Sequence, residues 1–549
     1  MAKAMSVGEY LVKALEQAGL KHVFGIPGDY VLGLYDLLER SPIQLVGTCT
    51  EIGAGYAADA YARINGLGCV CVTYCVGGLN ALNAVAGAYA EKSPLILISG
   101  APGLGERALS PLLHHRIRDF NTQRLIFEMV TVASEALEDP MTAPRQIDAA
   151  ITACLRQKRP VYIELPRDMV HRPCGQLRIR PDDAPKSPPE VLAEALRESA
   201  SMLRNAKRPV ILAGVEIHRF GLQSLLVRLV EKTGFPVAAT LLGKSVIGEL
   251  HPQYLGLYEG AMGHERVRLA VERADCVLFL GAFMTDIDLG GFTSNIDVSR
   301  TINATAEQVT IQRHHFDGIV LRDFLEGLLK SNLGPRRKPR FAPRSIPKPV
   351  KLQRGRKLTI RRFFARMNHF LKDDSVVIAD PGDSMFGASD LTIHRRTEFV
   401  SPAYYTSMGF AVPAALGTQI RRPHLRPIVF VGDGAFQMTG QELSTIVKYG
   451  LNPIVLVLNN KGYTTERFIQ DGPYNDVHEW AYHRWPEILR QGLGLEAHTE
   501  DELEDALARA EKYTASFVIV NVHFDPMDCS NALDRLAKRL RARVQGKGK

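Results

Sequence analysis

Short apolar runs separated by helix-length segments recur along the whole 549-residue chain. Uninterrupted apolar strands rich in β-branched residues, when they alternate with helices, are typical of a parallel sheet covered on both faces. The pattern restarts after a Pro-rich stretch at 185–189 and again beyond residue 357. The predicted strands are His22–Gly28, Ile43–Cys49, Gly68–Tyr74, Pro94–Gly100, Pro160–Pro166, Pro209–Val215, Pro236–Thr240, Cys276–Gly281, Ser375–Asp380, Arg426–Asp433, Asn452–Asn460 and Ser516–Phe524.

This grouping predicts an α/β protein with three doubly wound parallel-sheet domains of similar size. The predicted boundaries give an N-terminal domain at 1–182, a central domain at 190–333 and a C-terminal domain at 358–549. Residues 334–357 contain five prolines and almost no apolar side chains, which indicates an extended linker between the last two domains.

The formal net charge of +8 comes from two short segments. Ten Lys or Arg residues lie between Pro335 and Lys357 and seven between Arg535 and Lys549, and neither segment contains an acid. Without these seventeen charges the net charge is −9, so the folded bulk is mildly acidic and only the linker and the tail are basic. Solvated charge runs explain both segments, and binding of a polyanion or a membrane surface is the alternative.

The eight cysteines are scattered, and the closest group is Cys69, Cys71 and Cys75. A structural zinc site needs a second pair of closely spaced ligands, and the sequence has none, so reduced and buried thiols are the preferred interpretation. Such thiols suit a cytoplasmic protein. No uncharged apolar run of about 18 residues occurs, and the N-terminus lacks a secretory apolar core, so neither membrane insertion nor export is expected.

One combination of motifs carries a specific chemistry. An apolar strand ends in Gly432-Asp433-Gly434, and after 24 intervening residues a second apolar strand ends in Asn459-Asn460. Adjacent parallel strands bind ligands beyond their carboxyl ends, where Asp433 and Asn460 offer oxygen ligands for Mg²⁺. The two glycines allow a phosphate to approach the backbone, and the following helix directs its N-terminus at the anion.

In this combination the chain resembles enzymes that bind thiamine diphosphate, and the resemblance covers almost the whole chain in the order pyrimidine-binding, central and diphosphate-binding domain. It is most similar to the pyruvate, indolepyruvate and phenylpyruvate decarboxylases, which convert a 2-oxo acid to an aldehyde and CO₂. The resemblance implies that Asp433, Asn460 and the Gly462 carbonyl hold Mg²⁺, and that Asp383 helps to hold the diphosphate.

The cofactor must lose a proton from its thiazolium ring, and its aminopyrimidine acts as the base once a carboxylate supports the imino tautomer. The position of Glu51, at the start of a predicted helix, resembles that of the family's activating glutamate. Taken alone, Glu51 is also an ordinary first-turn acid favoured by the helix dipole. The resemblance further places Met408 as the apolar wedge between the cofactor rings and the Thr406 carbonyl against the pyrimidine amino group.

After CO₂ leaves, an enamine remains that must be protonated and released as the aldehyde. Four acids from three distant segments resemble the set that distinguishes the aldehyde-forming members: Asp29, the pair His114-His115, and Glu466. Imidazoles can move protons near neutral pH, and a carboxyl in a dry pocket can stay protonated. The first three are expected to manage protonation and aldehyde release, with Glu466 beside the substrate carboxylate.

The same resemblance implies the substrate and the assembly. Ile287 and Met385 stand where pyruvate-specific members carry bulky aromatic residues, and Thr465 is expected to face the same pocket, so an aromatic or branched 2-oxo acid is expected. Because Glu51 and the metal ligands lie in different domains, and relatives draw these domains from different subunits, a homodimer is the expected minimum and a homotetramer the expected assembly.

Three alternative functions remain at this point. A pyruvate decarboxylase would share the cofactor, metal and acid motifs, but is expected to carry bulky aromatic residues at the positions of Ile287 and Met385. An acetohydroxyacid synthase-like carboligase would share Glu51 and the metal element, but such enzymes generally lack the His-His pair and the Glu466 motif. A polyanion-binding protein with a degenerate enzyme core would use the basic linker and tail, and the intact set of acids argues against it; a basic C-terminal tail from Arg535 onward has no counterpart in the resemblance.

Overall fold

The structure is a computed structural model, and it describes residues 5–175, 185–338, 341–342, 344–394 and 398–536. Within these ranges the chain forms three β-sheets flanked by helices. Of the predicted basic tail from Arg535 onward, residues 537–549 lie outside the described residues.

The strands follow one another along the chain in three groups. They are β1 His22–Gly25, β2 Gln44–Gly47, β3 Gly68–Val72, β4 Leu95–Ala101, β5 Ser134–Ala136, β6 Val161–Pro166, β7 Pro209–Ala213, β8 Val237–Ala239, β9 Tyr254–Leu257, β10 Cys276–Leu280, β11 Thr301–Ala304, β12 Gln308–Ile311, β13 His314–Asp317, β14 Ser375–Ala379, β15 Glu398–Val400, β16 Arg426–Gly432, β17 Ile454–Asn459, β18 Leu493–Ala497 and β19 Val518–His523.

The α-helices connect and cover these strands. They are α1 Val7–Gln17, α2 Leu32–Glu39, α3 Glu51–Asn65, α4 Val76–Ala90, α5 Leu104–Arg107, α6 Thr122–Glu128, α7 Ala143–Gln157, α8 Pro189–Asn205, α9 Val215–Arg219, α10 Gln223–Thr233, α11 Glu265–Glu272, α12 Leu321–Lys330, α13 Ile360–Met367, α14 Asp383–Ser389, α15 Ala411–Arg421, α16 Asp433–Thr439, α17 Leu443–Lys448, α18 Thr464–Ile469, α19 Trp485–Leu489 and α20 Glu500–Lys512.

The chain divides into two compact units. The first comprises Met1–Ala184, Ser407–His424 and Thr439–Leu451, and the second comprises Pro185–Thr406, Leu425–Met438 and Asn452–Lys549. The first unit therefore contains the first sheet together with helices α15 and α17 from much later in the chain.

The first unit is built on a parallel sheet with the strand order β2-β1-β3-β4-β6-β5. Strands β3 and β4 are buried along their whole length, as expected where helices cover both faces. Helix α3 is capped by the Thr50 side chain, which accepts from the Gly53 N–H, and it ends at Gly66 in the left-handed conformation. The small residues of α3 allow α15 to pack directly against its backbone.

The second unit contains two sheets. The central one has the order β13-β12-β11-β10-β7-β8-β9, and its strands β7 to β11 run parallel. Strands β12 and β13 extend it as antiparallel partners, joined by a two-residue loop in which Gln312 adopts a positive φ of 55°. The other sheet is parallel throughout, with the order β15-β14-β16-β17-β19-β18.

The three-sheet α/β fold predicted from the apolar runs is confirmed, and each of the twelve runs overlaps an observed strand. The runs missed the short edge strands β5 and β15, the strands β9 and β18, and the β11–β13 extension. These segments alternate polar with apolar residues or span only three to five residues, so no continuous apolar signal marks them. The predicted domain boundaries stay predictions.

The cysteines, the helices and the basic linker were also subjects of prediction. All eight cysteines are free thiols; six are buried, Cys174 is half-buried, and Cys49 is exposed, which departs from the predicted burial. No helix within the described ranges has the length and apolar character that a bilayer crossing requires. Within the linker, Arg337 donates to the Ala206 carbonyl and Arg344 pairs with Glu249 at 3.3 Å, so these two cations are held by the second unit.

We predict that Gly417→Ala destabilises the protein, because a Cβ at this position would lie 1.9 Å from the Ala57 carbonyl oxygen and would force α15 away from α3. Overpacking of this kind costs about 1–3 kcal/mol, so the thermal unfolding midpoint should fall. Gly105→Ala is the matched control, because a Cβ at this helical glycine meets no atom within 4 Å. Equal midpoints for the two variants would contradict the close approach of α15 to α3.

Candidate active site

The turn after β16 places a carboxylate at the carboxyl edge of the third sheet. Asp433 is 2% exposed, and its two oxygens accept from the backbone N–H groups of Gly434 at 2.7 Å and Gly462 at 3.0 Å. Burial raises the pKa of Asp433 to about 6, although these N–H donors act in the opposite direction. A divalent cation would offset the cost of keeping this carboxylate charged.

Asn460 follows the adjacent strand β17 and is 6% exposed. Its Nδ2 donates to Thr464 Oγ1 at 2.5 Å, whereas its Oδ1 is buried and accepts no hydrogen bond from any described residue. A buried amide oxygen without a donor is costly unless a ligand or an ion satisfies it. The predicted pair, Asp433 and Asn460, thus combines a buried carboxylate with an amide oxygen that lacks a donor.

The loop between these groups depends on an arginine that the sequence interpretation missed. The Arg467 guanidinium is buried and donates to the carbonyl oxygens of Asn460 and Lys461, and it also pairs with Asp476 at 2.8 Å. Lys461 adopts a positive φ of 60°, which a side chain rarely accepts without such support. The arginine lies within α18, and no sequence motif marks its bonds to the preceding loop.

The glycines of the loop meet different constraints. A Cβ at Gly434 would lie 2.5 Å from the Tyr463 ring, and one at Gly462 would lie 2.1 Å from the Asn475 carbonyl oxygen. A Cβ at Gly432 would instead meet nothing within 4 Å, so this part of the turn faces open space. Together with Asn460 Oδ1, this open glycine fits the site of a cation and a diphosphate group.

Asp383 begins α14 beyond the neighbouring strand β14. It is 7% exposed and accepts from both the backbone N–H and the hydroxyl of Ser530. Burial raises the pKa of Asp383 to about 7, with the Ser530 donors opposing the shift. In this structure the carboxylate therefore anchors the C-terminal segment, and its predicted contact with a diphosphate stays a prediction.

In the first unit, Glu51 is the first residue of α3, and its Oε2 accepts from Asn80 Nδ2 of α4 at 2.6 Å. The loop before it is fixed by Glu442, a fully buried residue that accepts from the backbone N–H groups of Cys49 at 3.1 Å and Thr50 at 3.0 Å. Burial raises the pKa of Glu442, while these donors lower it. Neither Asn80 nor Glu442 belongs to a motif found in the sequence.

The structure brings Asp29, His114 and His115 together in the first unit. His114 Nε2 lies 3.0 Å from Asp29 Oδ2, the two imidazole rings are 4.7 Å apart, and His115 has a positive φ of 66°. Asp29 follows β1, so this cluster lies beyond the carboxyl end of the first sheet. These three residues therefore lie together in the first unit, and their role in protonation stays a prediction. Glu466 is an exposed residue of the second unit.

Two further residues support this cluster and were not predicted. Tyr30 is buried, and its ring stacks on His114 with centroids 4.9 Å apart. The Arg167 guanidinium lies 3.6 Å from Asp29 Oδ2 and 5.1 Å from the Tyr30 ring centre, and it forms an ion pair with Glu106. Arg167 directly follows β6, so only the strand order brings it near Asp29.

The remaining predicted residues differ in their surroundings. Ser407 accepts from Asn83 Nδ2 at 2.7 Å and shares a 2.6 Å hydrogen bond with the Tyr56 hydroxyl, and the next residue, Met408, is 37% exposed in the first unit. Thr406 belongs to the second unit, is exposed and has a positive φ of 53°.

Of the three residues predicted for a substrate pocket, two contact the same apolar cluster of the second unit. Met385 is 1% exposed within this cluster, and Ile287 is half-buried against it. Thr465 is half-buried, and its Oγ1 is another buried polar atom without a hydrogen bond to the described residues.

Three family models match the chain in succession. The thiamine pyrophosphate enzyme N-terminal TPP binding domain matches residues 5–124, the central domain matches residues 196–326, and the C-terminal TPP binding domain matches residues 380–522. Each range falls on a different sheet, and the central range covers all seven strands of its sheet.

Three similar proteins have names that refer to different 2-oxo acids. A probable pyruvate decarboxylase of Schizosaccharomyces pombe is 34% identical over 96% of this chain and 94% of its own length. An indole-3-pyruvate decarboxylase of Azospirillum brasilense is 34% identical over 98% of this chain and 99% of its own. An alpha-keto-acid decarboxylase of Mycolicibacterium paratuberculosis is 33% identical over 97% and 96%.

We predict that Asp383→Asn flattens the pH dependence of stability. Because burial raises the folded-state pKa of Asp383 to about 7, the folded protein holds this proton more tightly than the unfolded chain, whose aspartate has a pKa of about 4. The protonated Asp383 carboxyl therefore stabilises the folded protein at low pH. This stabilisation is lost as the pH rises from about 4 through 7, at up to about 1.4 kcal/mol per pH unit. Urea unfolding midpoints at pH 5 and pH 8 measure the difference.

The matched control is Asp323→Asn, because the half-buried Asp323 accepts the same pair of bonds, at 2.8 Å each, from the N–H and hydroxyl of Ser187. We expect the fall in midpoint between pH 5 and pH 8 to be smaller in Asp383→Asn than in both the wild type and this control. An equal fall in all three proteins would show that burial does not control the Asp383 proton.

Proposed function

The chain belongs to the family of thiamine diphosphate-dependent 2-oxo acid decarboxylases, and we propose that it converts an aromatic or branched 2-oxo acid to the aldehyde and CO₂. Phenylpyruvate, indolepyruvate and 2-oxoisovalerate are the proposed substrates. The observation that best supports the aldehyde-forming reaction is that the side chains of Asp29, His114 and His115 lie close together at one edge of the first sheet. Proton donors are what the release of an aldehyde requires.

We propose that the second unit holds Mg²⁺ and the diphosphate through Asp433, Asn460 and the Gly462 carbonyl, with Gly432 and Gly434 admitting the phosphates. The buried Asn460 Oδ1, which accepts no hydrogen bond from the described part of the chain, supports this assignment. When bound, thiamine diphosphate supplies the carbanion chemistry through which a 2-oxo acid loses CO₂. Arg467 is a positioning residue, since it contacts the Asn460 and Lys461 carbonyls.

In the first unit we propose that Glu51 holds the proton that the pyrimidine ring nitrogen requires. Its bond from Asn80 leaves Oε1 as the free carboxylate oxygen within the described contacts and sets the direction of the side chain. The Thr50 cap and the Glu442 bonds to the preceding backbone restrict where α3 can begin. Glu51 therefore starts from a fixed helix terminus, as proton transfer at a defined atom requires.

The Asp29–His114 pair is suited to moving protons. An imidazole in contact with a carboxylate can exchange a proton with a reacting group and recover it from water. Tyr30 restrains His114 from one side by stacking, and Arg167 keeps Asp29 close to a positive charge. We propose that His114 and His115 deliver the product proton, that Asp29 orients them, and that Glu466 serves the substrate carboxylate.

The proposed preference for a larger side chain rests on Ile287 and Met385, which contact one apolar cluster and leave flexible aliphatic groups where pyruvate-specific enzymes carry aromatic rings. Thr465, with its buried hydroxyl, belongs to the same proposal. The names of the relatives cover pyruvate, indole-3-pyruvate and alpha-keto acids, so they support the reaction and not one substrate. We also propose a homodimer as the minimum active form, with a homotetramer as the assembled state.

We predict that purified protein forms aldehyde from phenylpyruvate only when thiamine diphosphate and Mg²⁺ are both present, with a higher kcat/KM than for pyruvate. The physical reason is the proposed lining by Ile287 and Met385, whose aliphatic side chains are smaller and more flexible than the aromatic rings of pyruvate-specific enzymes. Coupled aldehyde reduction measures both rates, and Ile287→Phe should reverse the preference by narrowing the pocket.

Higher kcat/KM for pyruvate would overturn the proposed substrate and leave the reaction intact. Acetolactate without free aldehyde would favour the carboligase alternative. No product from either acid, together with salt-dependent retention on heparin, would favour polyanion binding.

We predict that Glu51→Gln lowers kcat by about 10²–10⁴-fold, because an amide cannot hold the required proton, while Gln can still accept from Asn80. Thiamine diphosphate binding, followed by quenching of intrinsic fluorescence, should change far less than kcat. Glu265→Gln is the matched control, since Glu265 is also a first-turn acid of a helix but is exposed. A similar loss of kcat in both variants would assign Glu51 to helix stability alone.

A further inference from the structure

A second group of ligand-type side chains lies in the second unit beyond the ends of β18 and β19. Three imidazoles surround one carboxylate oxygen, Glu496 Oε1: His523 Nε2 lies at 2.7 Å, His483 Nδ1 at 3.3 Å and His498 Nε2 at 3.9 Å. The His498 and His523 rings stack with centroids 3.9 Å apart. None of these residues belongs to the proposed decarboxylase site.

The strand register explains how the group forms. Strands β18 and β19 are parallel, and Glu496 pairs with Asn521. Since alternate residues of a strand share a face, the segments Glu496-Ala-His498 and Asn521-Val-His523 present their polar residues side by side. His483, from the turn at Tyr482–Arg484, adds the third imidazole.

One nitrogen of the group is already short of a partner. His483 Nδ1 is buried and makes no hydrogen bond to any residue that the structure describes, although it lies near Glu496. The buried Asn521 Nδ2 is within 3.0 Å of His523 Nε2 and 3.2 Å of Glu496 Oε1. Imidazole nitrogens and a carboxylate oxygen thus converge, and one of these nitrogens has no hydrogen-bond partner among the described residues. A bound cation would satisfy such a lone pair.

The opposite side of His523 resembles the outer shell of a metal site. His523 Nδ1 lies 3.6 Å from Glu479 Oε1, and the same oxygen accepts from Asn459 Nδ2 at 3.2 Å. Lys461 Nζ lies 3.2 Å from the other Glu479 oxygen. A carboxylate behind an imidazole directs the remaining nitrogen toward a metal and increases its basicity.

We propose that Glu496, His483, His498 and His523 form a binding site for a borderline-soft divalent transition metal, with Zn²⁺ as the best-suited ion. The ligand atoms of Glu496, His498 and His523 lie within 4.8 Å of one another, and His483 Nδ1, 3.3 Å from Glu496 Oε1, is the candidate fourth donor. Imidazole nitrogens and a carboxylate oxygen are ligands that Zn²⁺ accepts. Mg²⁺ prefers oxygen ligands and does not compete for such a set. The site is therefore chemically distinct from the one assigned to Asp433 and Asn460.

Metal binding here would act on the neighbouring loop. Glu479 connects His523 to Asn459 and Lys461, which flank Asn460 in sequence. A metal that fixes the His523 ring would fix Glu479 as well, and thereby both neighbours of Asn460. The site is a means by which Zn²⁺ can alter the rigidity of the loop that carries the proposed Mg²⁺ ligand.

The test uses the full-length protein with Mg²⁺ and thiamine diphosphate present. Zn²⁺ affinity is measured by competition with a chromophoric chelator, and Co²⁺ is added separately to read its visible d–d bands, which are intense only in tetrahedral sites. We expect one tight Zn²⁺ equivalent in the wild type and intense Co²⁺ bands. Glu496→Gln and His498→Ala should each weaken Zn²⁺ binding by at least ~10-fold and remove those bands.

Three further variants decide the assignment. His369→Ala, at an exposed histidine elsewhere in the same unit, and His115→Ala, in the other group of ligand-type residues, should keep the tight equivalent. Glu479→Gln should weaken Zn²⁺ binding, because the substitution removes the carboxylate behind His523 and leaves the other proposed ligands unchanged. His498 is 56% exposed, so its removal leaves the core intact. Wild-type affinity in Glu496→Gln and His498→Ala, or loss of the tight equivalent in His115→Ala, would overturn the proposal.

Discussion

Because the strands of the first and third sheets all run in one direction within each sheet, the residues that follow them collect at a single edge. This constraint places Asp29 after β1 and Arg167 after β6 close together, although they are far apart in sequence. It likewise gathers Asp383, Asp433 and Asn460 beyond β14, β16 and β17. The helices cover the two faces of each sheet, and the polar residues that could bind a ligand lie in the turns after the strands.

The two parallel sheets share one strand order, since β2-β1-β3-β4-β6-β5 and β15-β14-β16-β17-β19-β18 have the same succession. The turns at their carboxyl edges nevertheless hold different chemistry. In the third sheet the acids are buried, so the pKa values of Asp433 and Asp383 rise and backbone or serine donors must support their charge. In the first sheet Asp29 is 42% exposed and has Arg167 and His114 beside it. A buried carboxylate such as Asp433 is suited to binding a cation, whereas an exposed pair such as Asp29 and His114 is suited to exchanging protons with water.

The fold and much of the site could be predicted because they depend on local signals. Apolar runs marked every fully buried strand except the four-residue β9, and the Gly432-Asp433-Gly434 turn marked the carboxyl edge of the third sheet. Arg467, Arg167, Asn80 and Glu442 could not be found in this way, because each is an ordinary polar residue whose role depends on a neighbour brought by the fold. The cluster of Glu496, His498 and His523 was missed for the same reason. Strand β18 has no continuous apolar run, and neither segment alone predicts the register of β18 against β19.

The first unit is completed by residues that lie more than half the chain away. Glu442 accepts from the backbone immediately before Glu51, Ser407 is bonded to Tyr56 and Asn83, and Gly417 lets α15 contact the small-residue stripe of α3. Residues 5–175 alone would leave that stripe uncovered and would remove the acceptor for the N–H groups of Cys49 and Thr50, which costs free energy at both places. The start of α3, and with it the direction of Glu51, therefore depends on the segments at 407–424 and 439–451. A helix terminus that belongs to the first domain by sequence is thus held in place by residues from the last, so the local sequence predicts where α3 begins but not what fixes its start.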